Sequence, residues 1–296
     1  MDGTKKGFTL VYNLTNTLMI EIQNLSFGYN RKKLLYKNLQ LSLASGNIYG
    51  LLGKNGAGKS TLLKNMIGLL FPTNGTVTVN GFTPGKRQPS FLETIYFIPE
   101  EVYVPALSIE RYISLFSPFY PAFDREQLFN YLEKLDVETT GKLTTLSFGQ
   151  QKKFIIAFAL ACNTKLLLLD EPTNGLDIPS KKRFRKLIAS IMHNDRMIFI
   201  STHQIRDLDN MIDQVIIVDN GDLLLNATLE TIGQKLSFKT VDDIAADMPV
   251  LYEEDALKGK SIVTKNTSKE DTKVNLEHLF NAVIENPAIT KMIFKN

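Results

Sequence analysis

Gly53, Gly58, Lys59 and Ser60 occupy the spacing G-x-x-x-x-G-K-S within GKNGAGKST, residues 53–61. Residue types in that order suit the holding of a polyphosphate. Glycines let successive backbone N–H groups close on phosphate oxygens, the Lys59 ammonium meets the β- and γ-phosphates, and the Ser60 hydroxyl is placed for Mg²⁺. Asn55, Gly56, Ala57 and Thr61 complete the loop and join it as phosphate-binding candidates. A second chemical group follows four leucines: Asp170 and Glu171 close the run LLLLDE, residues 166–171. Adjacent carboxylates at a strand end suit two tasks, Asp170 reaching a metal through its water and Glu171 polarising an attacking water. His203 directly follows the apolar run RMIFIST and would bring an imidazole N–H to the γ-phosphate. Tyr29 offers an aromatic face on which a purine can stack, although taken alone such a tyrosine is more often a core residue.

These groups need elements that aim them at one place. The segment before Gly53, NIYGLL, reads as a strand, and the pattern after Gly58 reads as a helix whose positive end faces the loop. LLLL and MIFIST read as fully buried parallel strands, whose C-terminal ends border the crevice where α/β sheets bind ligands. MIEIQNLSFGY (19–29) and KNLQLSLASGNIYGLLG (37–53) alternate like half-buried strands, the first ending at Tyr29, with Gly46-Asn47 marking the turn inside the second. They predict a small antiparallel layer. PTNGTVTVNG adds a short strand and TIYFIPE another, ending at Pro99-Glu100. From Ser108 to Leu135 the apolar spacing turns helical, with Pro118 and Pro121 between two helices, and the block runs to about Cys162. Its last part, TTLSFGQQKKFIIAFALA, predicts a polar turn with Ser147 as N-cap and then a long amphipathic helix. Beyond Asn226, LETIGQKL and NLEHLFNAVI look helical, and SFKTV and SIVTKN look like short strands, together a small α+β appendage.

Composition narrows the classes. The 296 residues suffice for one large α/β domain plus an appendage, and a 44% hydrophobic fraction is that of a folded globular chain. Lysine and arginine number 34 against 31 acidic residues, a net +3 that gives no electrostatic case for nucleic acid. The basic run KKRFRK, 181–186, lacks an accompanying aromatic surface and reads as a solvated helix face. Cys162 is the sole cysteine and lies in an apolar helical stretch, so the expectation is a buried thiol and no disulfide within the chain. No apolar run approaches the ~18 residues a membrane span requires. Residues 1–18 lack periodicity and polar residues break their apolar centre, so they read as a tail outside the fold rather than a signal peptide, with Met19 an alternative start.

Taken together, residues 19–225 resemble the ATP-binding subunits of ABC (ATP-binding cassette) transporters. GKNGAGKS is similar to the Walker A motif, LSFGQ (146–150) to the family signature, LLLLDE to Walker B, GLD (175–177) to the D-loop, and His203 to the switch histidine. Tyr29 matches the adenine-stacking aromatic. The implied fold is a P-loop NTPase cassette: a RecA-like parallel sheet, an N-terminal antiparallel β layer and a helical subdomain over about 102–162, followed by the appendage over 226–296. The implied cofactors are ATP and Mg²⁺, and the implied reaction is ATP hydrolysis coupled to transport. The resemblance further implies a head-to-tail pair, homodimeric or heterodimeric, in which Ser147, Gly149, Gln150 and Asp177 serve the partner's nucleotide. It also implies a separate integral membrane permease received by the helical block, and a place in the cytoplasm on the inner face of the membrane. The tail pattern is similar to ATPases of ABC-2-type exporters. A soluble ABC ATPase acting on a protein or nucleic-acid assembly is the alternative. Two positions depart from the pattern: Phe148 replaces a glycine of the signature, and Glu100 stands where the Q-loop glutamine is expected, a position implying a metal and coupling role.

Overall fold

Alternation in the first patterned stretch does what it predicts. In the computed structural model, which describes residues 18–30, 32–244, 249–267 and 272–295, β1 (Leu18–Phe27) buries Ile20, Ile22 and Leu25. It pairs antiparallel with β2 (Tyr36–Ala44). The tail assigned to 1–18 lies outside the described residues except for Leu18. Strand β1 stops at Phe27, so Tyr29 stands two residues beyond it rather than at its end. β3 (Ile48–Leu52) is buried at every residue and leads through the glycine loop into α1 (Lys59–Met66). β4 (Asn74–Val79) then pairs antiparallel with β1, completing a three-stranded layer in the order β2-β1-β4.

The next elements are α2 (Pro89–Leu92), β5 (Ile95–Ile98), and the helices α3 (Ile109–Phe116), α4 (Arg125–Lys134) and α5 (Phe148–Ala161). Ser108, Asp124 and Ser147 each accept a backbone N–H as N-caps; Ser147 is the expected cap and Ser108 opens the helical spacing, whereas the sequence reading does not place the start of α4 at Asp124. The amphipathic pattern expected for α5 is not found. From Lys152 to Ala161 every residue is buried, because the helix lies between the sheet and the rest of the helical block.

β6 (Leu166–Asp170), α6 (Ile178–Ser190), β7 (Met197–Thr202), β8 (Gln214–Asp219) and β9 (Asp222–Thr228) complete the main sheet, ordered β5-β6-β7-β3-β8-β9. The first five strands are parallel and β9 is antiparallel to β8, so the sheet is mixed at that edge. Because β7 lies between β6 and β3, the residues after these three strands emerge side by side. One face packs against the antiparallel layer and α1, the other against the helical block.

The last part comprises α7 (Leu229–Lys235), β10 (Leu236–Val241), β11 (Val250–Asp255), β12 (Lys260–Lys265), α8 (Leu276–Glu285) and α9 (Pro287–Phe294). Its strands form an antiparallel sheet in the order β10-β12-β11. The division drawn after residue 225 falls inside β9, and Leu276, Leu279 and Val283 of α8 join the same core as Val215, Ile217 and Leu225 of the main sheet. The appendage thus extends that core. β11 went unread because only Leu251 of its six residues is buried, too little for a period to show.

Candidate nucleotide site

The glycine loop is shaped by contacts that exclude side chains. Gly58 has φ 111°, and a Cβ there would lie 2.5 Å from the Tyr36 hydroxyl oxygen. That hydroxyl donates to the Gly58 carbonyl at 2.7 Å, fixing the loop from beneath. A Cβ on Gly53 would lie 2.6 Å from the Val218 carbonyl oxygen. Tyr36 is 0% exposed; its phenol looked like an ordinary strand residue in the sequence. Lys59 folds back across the loop, its Nζ donating to the carbonyls of Gly53 at 2.9 Å and Lys54 at 3.3 Å, with Glu171 Oε1 3.6 Å away.

A cleft of about 970 Å³ opens above the loop, lined by Tyr29, Asn55, Gly56, Gly58, Lys59, Ser60, Thr61, Glu100, Glu171, Asn174 and His203 among others. Tyr29 is 71% exposed with its hydroxyl 3.1 Å from Thr61 Oγ1, and its ring, edge-on to Phe27 at 5.2 Å between centroids, stands at the cleft edge rather than in the core. Glu171 is buried and sits at φ 47°, which carries its carboxylate toward β7. Its Oε2 accepts the Thr202 hydroxyl at 2.9 Å, and Oε1 accepts the His203 backbone N–H at 2.9 Å and its Nδ1–H at 2.8 Å. His203 therefore meets Glu171 directly in this structure, a contact not expected from the sequence. Asp170 is buried beneath the cleft and accepts a short hydrogen bond from Ser201. Ala57 is buried in the loop and does not line the cleft.

Glu100 lies on the cleft wall, where its Oε1 accepts the Asn174 side-chain amide at 3.0 Å. A carboxylate there adds negative charge beside Glu171 and any bound phosphates, opposing closure until a cation arrives. Glu100→Gln is therefore expected to retain hydrolysis and to lower the Mg²⁺ needed for half-maximal rate by about two- to fivefold, the effect of a ~0.5–1 kcal/mol interaction made by one exposed charge. Glu100→Ala should weaken coupling to a membrane partner more than basal turnover. ATPase rates titrated against Mg²⁺ test this; superimposable curves for the three proteins would show that Glu100 does not sense the metal.

The remaining sequence candidates lie elsewhere. Ser147 caps α5 by accepting the Gln150 N–H, and Gly149 sits in the first turn of that helix. Gln150 is turned into the helical block, donating to the Asp136 carbonyl at 2.9 Å and accepting the Glu138 N–H at 3.2 Å. Asp177 caps α6 through the Ser180 N–H at 2.7 Å, and the Ser180 hydroxyl first, and then this backbone bond, hold its carboxyl below the usual range. None of the four lines the cleft. The sequence reading missed Thr202, Asn174 and Ser201, which hold the acidic groups; Asn174 at least falls inside the motif PTNGLD. Among KKRFRK, Lys181 pairs with Asp207 at 2.7 Å, Arg183 with Asp136 at 3.3 Å, and Phe184 is buried.

The donor set fits a magnesium nucleotide: a cradle closed to side chains, one ammonium, a hydroxyl at Ser60 and a carboxylate at Asp170, hard oxygens of the kind Mg²⁺ prefers beside substrate phosphates. Known proteins agree. The profile of the ABC transporter family matches residues 36–174. The uncharacterized ABC transporter ATP-binding protein YdbJ of Bacillus subtilis (strain 168) is 31% identical over 216 residues, covering 72% of this chain and 70% of its own. The energy-coupling factor transporter ATP-binding protein EcfA1 of Fusobacterium nucleatum is 30% identical over 281 residues, covering 90% of this chain and 99% of its own. A solved ATP-binding subunit of an ABC transporter superposes with a TM-score of 0.65 at 25% identity, over 72% of this chain and 91% of that one. The chain belongs to the ATP-binding subunits of ABC transporters, ATPases that work on ATP with Mg²⁺.

Proposed function

We propose that this chain powers a separate membrane permease, of the ABC-2 exporter type, as one half of a head-to-tail pair on the cytoplasmic face of the membrane. The observation that carries the permease reading is a groove of about 650 Å³ between β5 and the helical block. It is lined by Leu92, Tyr96, Phe116, Phe119 and Tyr120. Phe119 is 67% exposed, and Leu69 at the same groove is also exposed. Large apolar side chains collected in an open groove fit the docking of an amphipathic segment from a partner. The export direction rests on the pattern of the C-terminal part, with α8 laid against the main sheet.

In the reading that follows, Lys59 and the loop amides bind the triphosphate and Tyr29 orients the base. Ser60 and Asp170 would hold Mg²⁺, which would supply positive charge to the phosphate oxygens. Glu171, oriented by Thr202 and His203, accepts a proton from water as the water oxygen bonds to the γ-phosphorus and the bond to the bridging oxygen breaks, leaving ADP and phosphate. Ser147 and Gly149, outside their own cleft, are left to serve a partner's.

The test is purification of the tagged chain from detergent-solubilised membranes. An integral membrane protein should accompany it, and Phe119→Asp should lose that protein while hydrolysis by the isolated chain stays within about twofold of wild type, since a charge desolvated in the groove costs the interface and not the cleft. Recovery of the same membrane protein with Phe119→Asp would remove the groove from the docking surface, and recovery of none with the wild type would favour the permease-free alternative.

A further inference from the structure

Lys152 is a buried cation that the chemistry above does not use. It is 1% exposed and projects from the second turn of α5. Its ammonium has three N–H donors, and the structure offers three carbonyls: Glu171 at 2.7 Å, Asn174 at 3.0 Å and Glu100 at 3.3 Å. They come from two connections, Glu100 from the loop after β5 and Glu171 and Asn174 from the turn that joins β6 to α6. Burial pulls its pKa below the ordinary lysine value, against the opposing pull of the Glu100, Glu171 and Asp170 carboxylates. An ammonium taken out of water is costly unless its donors are satisfied. A methionine would fill a similar volume without that cost but would take this donor from all three carbonyls.

What it holds first is Glu171. At φ 47° this residue occupies the left-handed region, which is unfavourable for a side chain with a Cβ and persists only where neighbours enforce it. In that conformation the side chain reaches Thr202 and His203 while the carbonyl meets Lys152. Lys152 stands five residues after Ser147 on a helix buried from Lys152 onward, about 7 Å along its axis. One rigid rod therefore joins Ser147 and Gly149, at its N-terminus, to the backbone of Glu171.

We propose that Lys152 is a positioning residue: its ammonium pins the carbonyls of Glu100, Glu171 and Asn174 and makes the placement of the Glu171 carboxylate depend on the seating of the N-terminus of α5. This rests on the reading of Glu171 as general base and of Ser147 and Gly149 as contacts to a partner's nucleotide. Ordering at one cleft then reaches the other through a single side chain.

The test uses the full chain and compares wild type, Lys152→Met, Lys152→Gln and Glu171→Gln for kcat and for affinity toward a fluorescent ATP analogue. Lys152→Met keeps the volume and removes the donors; it should lower kcat by about 30-fold or more, the scale of a sub-ångström to ångström misplacement of a reacting group, with nucleotide affinity within threefold of wild type. Lys152→Gln retains two N–H donors and should recover part of the loss, falling about three- to tenfold below wild type at unchanged affinity. Wild-type kcat in Lys152→Met overturns the proposal, as does a parallel fall of kcat and affinity in both variants, which is the signature of a merely structural lysine. Should Lys152→Met fail to fold, wild-type kcat in Lys152→Gln overturns it alone. Undiminished turnover in Glu171→Gln rejects the underlying assignment of the base instead, so the two failures are told apart.

Discussion

Glu171→Gln is expected to bind ATP as wild type does and to hydrolyse it at least about 100-fold more slowly, the range that loss of a positioned general base produces. The amide is isosteric and its oxygen can still accept the Thr202 hydroxyl or the His203 N–H, bonds of 2.9 Å in the native site. It cannot accept a proton from water. Binding contacts made by Lys59 and the loop amides are untouched, so the ATP-bound state should accumulate, and with it a dimer that elutes ahead of the nucleotide-free chain. Hydrolysis near the wild-type rate, or a dimer that forms equally well without ATP, would sink the assignment of Glu171.

Lys59→Ala should lower ATP affinity by about 100-fold, because the ammonium's contact to phosphate is made in the ground state and a charge-assisted hydrogen bond to an anion is among the stronger single interactions. Lys59 is also only 7% exposed and donates to two carbonyls of its own loop, so the same substitution removes a brace within that loop. Titration calorimetry with ATP and with ADP measures the effect on affinity; the loss should be larger for ATP, whose γ-phosphate the ammonium also reaches. Equal affinity of variant and wild type for ATP would count against the loop as the phosphate site.

Whatever depended on the local backbone was open to reading in order along the chain. A glycine followed by lysine and serine at the head of a helix, two parallel strands opening on the apolar runs LLLL and MIFI, a helical spacing that begins at Ser108 and a cap at Ser147 are all constraints a residue meets within a few positions of itself. From these the phosphate loop, the paired carboxylates and the class of fold followed, and the family's ordered motifs could be matched position by position.

Tertiary structure alone decided which of those residues meet. The order β6-β7-β3 brings His203, after β7, beside Glu171, after β6, and strand order comes from how the sheet buries its two faces, not from any short pattern. Ser147 and Asp177 lie outside the cleft at the heads of the helices they cap, while Gln150 is claimed by the carbonyl of Asp136. Residues of common type that act through long-range hydrogen bonds, such as Tyr36 under Gly58, Thr202 on Glu171 and Lys152 on three carbonyls, left no trace in periodicity, because a hydrogen bond made across dozens of positions imposes no local spacing. The burial of α5 on every side was hidden for the same reason: its two lysines lend it a polar stripe in sequence, and only the fold supplies the backbone carbonyls that let both be buried.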